Sequence, residues 1–159
     1  MELSIKILAA QYLTLPKGDK PTSFRPYIVV QVHAEKPGER HGTVPSTPSP
    51  AAAAVAVDPR DKKGEYQRET EARAGCNPDF YGSAGGEELR FKAVPGVAPE
   101  LAFVRFQVKN SEVGPDSVSG WACVRVDRLR KGVRFVHLID EKGQETEAAL
   151  LVKADYKLT

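Results

Sequence analysis

Apolar side chains in this chain recur at every second position, and sustained helical spacing is nearly absent. Successive side chains of an extended strand point to opposite sides, so this period marks strands with one buried face. The chain therefore reads as all-β. In LSIKILA, Leu3, Ile5 and Ile7 share a face, and in PYIVVQVH the unbroken run Ile28 to Val30 points to burial on both sides at the strand centre. LRFKAV (89–94) sets Leu89, Phe91 and Ala93 against Arg90, Lys92 and Val94, while LAFVRFQVK aligns Ala102, Val104, Phe106 and Val108. GWACVRV, VRFVHLID and AALLVKA extend the set, and EYQRETEAR adds a more polar strand. About eight strands suit a sandwich. The one helical candidate is Asp127 to Lys131, begun by an Asp suited to an N-cap and stopped by Gly132.

At 159 residues the chain fits a single domain, 1–159, that can bury a core without covalent staples. The formal charge of +2 is too small for a strong whole-chain pull on nucleic acid, and no nucleic-acid partner is expected. Cys76 and Cys123 lie far apart and lack metal-ligand spacing, which favours free thiols in a reducing compartment over a disulfide. No apolar run approaches the roughly 18 residues of a membrane span, and the N-terminus does not read as a secretory signal. The expectation is a soluble, cytoplasmic protein. Residues 35–64, rich in Pro, Ala and Ser, read instead as a long disordered insertion between strands two and three. Within it, AAAAVAV between Pro50 and Pro59 is too short for a stable isolated helix.

Three segments in succession, GCNPDF, PELAFVRFQVKN and LRKGVRFVHLIDEKGQETEAALLVKA, resemble the C2 domain that closes phosphoinositide-specific phospholipases C. The resemblance implies an eight-stranded antiparallel sandwich of two four-stranded sheets, the C2 type. It does not bring the catalytic barrel, which needs about 250 residues. The chain is then either a fragment of such a lipase or a freestanding relative. In the first case its partner is a catalytic domain of the same parent protein.

By the same resemblance, the loops after strands one, three and five (11–25, 76–86 and 111–119) form the pole where C2 domains bind calcium and touch membranes. Calcium wants six to eight oxygens, mostly from carboxylates. Arg25 stands where calcium-binding members carry an Asp, Asn77 keeps the second-loop Asn, and Asn110, Ser111 and Glu112 replace the paired aspartates. Asp116 is one further carboxylate. A guanidinium opposes a cation, so no cofactor is expected beyond weak Ca2+ at Glu112 and Asp116, and Arg25 is expected to pair with Glu112, Asp116 or Asp79.

The pole also gathers Tyr12, Leu13, Leu15, Phe24, Phe80 and Tyr81 with the cations Lys17, Lys20 and Arg25. Aromatics beside cations suit an anionic phospholipid surface, to which each basic residue contributes about 1 kcal/mol. The competing reading folds these apolar side chains under the loops as satellite core. A second candidate for anionic lipid is a face of Arg68, Arg90, Lys92, Arg105 and Lys109, against which interleaved glutamates favour a plain solvated face. No aromatic partner for base stacking is evident among those cations.

Enzyme signatures are lacking. His33, His41 and His137 have no zinc-site spacing, and GSAGG (82–86) lacks both the phosphate-loop ending and the hydrolase elbow. The leading expectation is a peripheral membrane module, calcium-independent or weakly calcium-responsive, that binds lipid or docks neighbouring domains. The alternatives are a piece of a phosphoinositide hydrolase and a protein scaffold using TVPSTPSP as extended recognition material.

Overall fold

The computed structural model describes residues 1–16, 18–34, 66–81, 87–91, 98–112 and 118–157. Eight strands run through them: β1 (Glu2–Gln11), β2 (Pro26–Ala34), β3 (Gln67–Glu69), β4 (Glu87–Phe91), β5 (Ala102–Asn110), β6 (Val118–Arg125), β7 (Gly132–Ile139) and β8 (Glu145–Lys157). Neighbours are antiparallel, in the order β3-β2-β5-β6-β7-β8-β1-β4. Between β6 and β7 the ladder shrinks to one pair, Trp121 with Ile139. The sheet therefore divides there into two four-stranded layers, β3-β2-β5-β6 and β7-β8-β1-β4. The eight-stranded sandwich expected from the alternation is the observed architecture.

The core lies between the layers. Ile5 and Ile7 of β1, Ile28 and Val30 of β2, Val104 and Phe106 of β5, and Leu150 and Val152 of β8 meet in one buried cluster. Each large side chain buried this way contributes about 1.5–3 kcal/mol. Val29 is 2% exposed although its neighbours in sequence face the core, so the run Ile28 to Val30 is buried on both sides as its composition implied. On β1 a register shift between Ile7 and Ala9 reverses the parity, so that Ala10 follows Leu3, Ile5 and Ile7 into the core.

Two local expectations need correction. The polar strand spans three residues, Gln67–Glu69, because Thr70 breaks the ladder: its hydroxyl accepts the Ile28 N–H (2.9 Å) where a backbone carbonyl would otherwise stand. The chain still follows β2, with Arg73 N–H donating to Pro26 O at 2.9 Å. The helical candidate is a single 3₁₀ turn, Val126–Arg128, and Asp127 does not cap it. Its carboxylate instead takes two bonds of 2.6 Å from the Arg125 guanidinium, and that pairing pulls the Asp127 pKa down. Strand LRFKAV is described only to Phe91, and the predicted insertion 35–64 lies outside the described residues.

Candidate functional site

One end of the sandwich is built from the residues after β1, the residues before β4 and the end of β5. The chain leaves β1 through Tyr12, whose φ of 54° is left-handed and uncommon for a residue with a side chain. Hydrogen bonds over-determine that turn. Tyr12 N–H donates to Asn77 Oδ1 (2.8 Å), Leu13 N–H to Cys76 O (3.0 Å) and Ala10 N–H to Pro78 O (3.0 Å). Gly75 N–H donates to Phe24 O (3.0 Å), joining the far side of the first loop to the same segment.

Asn110 ties in the third loop. Its side chain, in a residue 2% exposed, accepts the Arg25 N–H (3.1 Å) and the Glu112 N–H (3.2 Å) at Oδ1 and donates through Nδ2 to Asp19 Oδ2 (2.6 Å). Both ends of the amide are thus used inside the protein. Ser111 N–H returns a bond to Arg25 O (3.1 Å), and Ser119 Oγ donates to Thr14 O. Arg25 reaches Glu112 at 4.0 Å, with both side chains 53% exposed. That is the partner expected for Arg25, held loosely; Asp79 instead accepts the Tyr81 N–H (2.7 Å), and Asp116 lies outside the described residues. Among the described residues no three His, Cys, Asp or Glu side chains gather closely enough to hold a metal. Asp19 escaped the sequence reading, whose only local signal for it was the Gly-Asp turn with Gly18 at φ 95°.

Burial redraws the membrane-contact set. Leu13, Phe24 and Phe80 are 3%, 1% and 1% exposed and belong to the core, so they offer no surface to a bilayer in this fold. Leu15 packs against that core. Tyr12 stays 64% exposed and Lys20 of the same loop is exposed, while Lys17 lies outside the described residues. Tyr81 is also exposed, but the bridge of Ala9 with Asp79 puts Tyr81 level with Ile7, about five residues, roughly 16 Å, down the β1 edge from Tyr12. The two exposed tyrosines are therefore separate.

Register likewise dismantles the five-residue basic face. Directly paired residues of an antiparallel ladder share a side. Arg68 pairs with Val30 and so lies on the core side of the β3 edge, while Arg90 pairs with Ser4 on the outside of the other layer, bonded to Glu88 at 3.0 Å. Lys92 lies outside the described residues. Arg105 and Lys109 do share the outer face of β3-β2-β5-β6, joined by Arg125, which the sequence reading missed because Arg125 stands on β6 opposite Phe103. Tyr27, Phe103 and Trp121 are interleaved with these cations, contrary to the expectation that aromatics were lacking there. Burial and then Glu69 push the Tyr27 pKa up, so its hydroxyl remains a donor at neutral pH. His33 Nε2 and Arg105 Nε on this face are buried without a hydrogen-bond partner among the described residues. The face can present cationic and neutral donors, framed by rings, to an anionic group.

A groove of about 400 Å³ at the foot of β1, β4 and β8 has mixed charge, with Glu2, Glu88 and Asp155 facing Arg90 and Lys157. No described helix is long and apolar enough to cross a membrane.

The C2 domain family model matches residues 1–140. Phosphoinositide phospholipase C 9 of Arabidopsis thaliana is 38% identical over 42% of this chain, and human 1-phosphatidylinositol 4,5-bisphosphate phosphodiesterase delta-3 is 26% identical over 94% of it. The chain spans 12% and 15% of the lengths of these two relatives. Among solved structures, S. officinalis PLC21 superposes with a TM-score of 0.61 at 19% identity, over 97% of this chain and 15% of that one. A C2 domain of plant Extended Synaptotagmin 1 superposes with a TM-score of 0.59 at 13% identity, over 96% and 91%. These similarities bear out the phospholipase C type of C2 domain to which the sequence motifs pointed.

Proposed function

The chain belongs to the C2 domain family, and we propose that it works as a cytoplasmic, peripheral membrane module that meets anionic phospholipid with little or no need of calcium. The observation that carries this reading is the state of the loop pole. Asn110 is spent clamping two loops, and Arg25 puts a fixed positive charge beside Glu112 where calcium would need carboxylates. Attraction to lipid then rests on the protein's own cations: Lys20 with exposed Tyr12 at the pole, and Arg105 and Lys109 on the outer face. Contributions of about 1 kcal/mol per cation give reversible attachment.

In a longer parent of phospholipase C type, this module would hold the catalytic domain at the membrane and take no part in hydrolysis. The relatives' names, and the small share of their length spanned here, support that setting.

Cosedimentation with phosphatidylserine vesicles, with and without chelator, tests the proposal. Binding is expected to survive chelation, and Arg105→Gln and Tyr12→Ser are each expected to weaken it about fivefold. Binding that appears only with micromolar calcium overturns the calcium-independent reading. No binding in either condition favours a protein scaffold.

A further inference from the structure

β7 has an open edge. It pairs with β8 along Gly132–Ile139, but its other side is paired to β6 only where Ile139 faces Trp121, with Gly120 packed against Leu138 beside that pair. Gly132–Leu138 thus presents, among the described residues, a run of backbone donors and acceptors not paired to a strand on that side. Val133 and Phe135 alternate along it, 57% and 56% exposed, on the outside of the layer. Just before them Arg128, Arg130 and Lys131 are exposed, and Arg134 lies between the two apolar side chains in sequence.

The neighbouring counter-charges are already committed. Asp127 holds Arg125 at 2.6 Å and Asp155 holds Lys131 at 3.6 Å. Arg130 and Arg134 have no ion pair among the described residues, and Arg134 Nε is buried without a hydrogen-bond partner.

We propose that this edge accepts an extended acidic segment of a partner protein, which adds as a further antiparallel or parallel strand beside β7. Strand addition satisfies the open backbone groups, and alternate side chains of the incoming segment select the partner. Residues opposite Val133 and Phe135 would be apolar, and the residue opposite Arg134 acidic, so the fitting sequence alternates acid with apolar. Two other occupants fit less well. A second copy would bring one cluster of Arg128, Arg130, Lys131 and Arg134 against another, and like charges across a contact are costly. A bilayer core would cover Val133 and Phe135 but offers no partner for the backbone groups. The site uses none of the residues on which the lipid-binding proposal rests, Tyr12, Lys20, Arg105 and Lys109, so it can fail without affecting that proposal.

The test titrates the full chain with a short synthetic peptide alternating glutamate and valine, following amide hydrogen exchange by NMR. The control is the same peptide N-methylated at alternate residues, which cannot complete a ladder. Alternate amides of Gly132–Leu138 are expected to slow in exchange with the first peptide only. Arg134→Glu and Arg130→Glu are each expected to weaken binding about tenfold. Phe135→Ser, at an exposed position where folding is retained, should weaken it as well. The proposal is overturned if millimolar acidic peptide leaves these amides unprotected, or if the methylated control protects them equally. Protection of the same amides by phosphatidylserine vesicles, or by raising the chain's own concentration without peptide, also overturns it, assigning the edge to a membrane or a second copy.

Discussion

Asn110 and Arg25 occupy one pole but differ in what they contribute there. Asn110 is buried and bonded to Arg25, Glu112 and Asp19, so Asn110→Ala would remove three part-buried hydrogen bonds at a cost of about 1–3 kcal/mol. Arg25 meets Glu112 at 4.0 Å with both side chains half in water, and Arg25→Ala should cost less than about 1 kcal/mol. Urea unfolding of the two variants is expected to give that order; equal losses would mean that the ion pair, and not the amide, holds the pole. The sequence indicated a charge at Arg25 and an amide at Asn110 but not this division. Asn110 reads simply as the next inward position of an alternating strand, and its partner Asp19 lies 91 residues away. Leu13, Phe24 and Phe80 were ambiguous for a related reason: an aromatic or leucine in a loop has the same letter whether the loop closes over it or offers it to solvent.

Elements were more legible, because the period of two is local information. β1, β2, β5 and β8 could be read from their own residues, and each buries the face its alternation specified. What alternation does not contain is which strand lies alongside which. The basic face failed on that point alone: Arg90 and Arg105 each alternate correctly, on opposite layers of the sandwich. The junction into β7 offers a clean test of local geometry. Gly132 has φ 100°, and a Cβ placed there would meet nothing within 4 Å, so only backbone strain opposes a side chain. Gly132→Ala should therefore destabilise by about 1–3 kcal/mol, whereas D-alanine introduced by semisynthesis should be neutral or stabilising. Equal effects of the two enantiomers in thermal unfolding would point to packing in place of strain.

At the scale of the molecule, two layers share a single core through Phe106, Ile5, Ile28 and Leu150. Phe106→Ala should cost about 3–5 kcal/mol and lower the melting temperature of both layers together, seen as one calorimetric transition. Two separated transitions would show that the layers are independent folding units. The topology adds a constraint in time. β1 lies between β8 and β4, and most of its ladder is with β8, which comes last in chain order of the eight described strands. At typical elongation rates the finished β1 waits on the order of ten seconds for that neighbour. During synthesis an amphipathic strand is therefore exposed on the ribosome, and nascent-chain chaperones have their greatest opportunity at Glu2–Gln11.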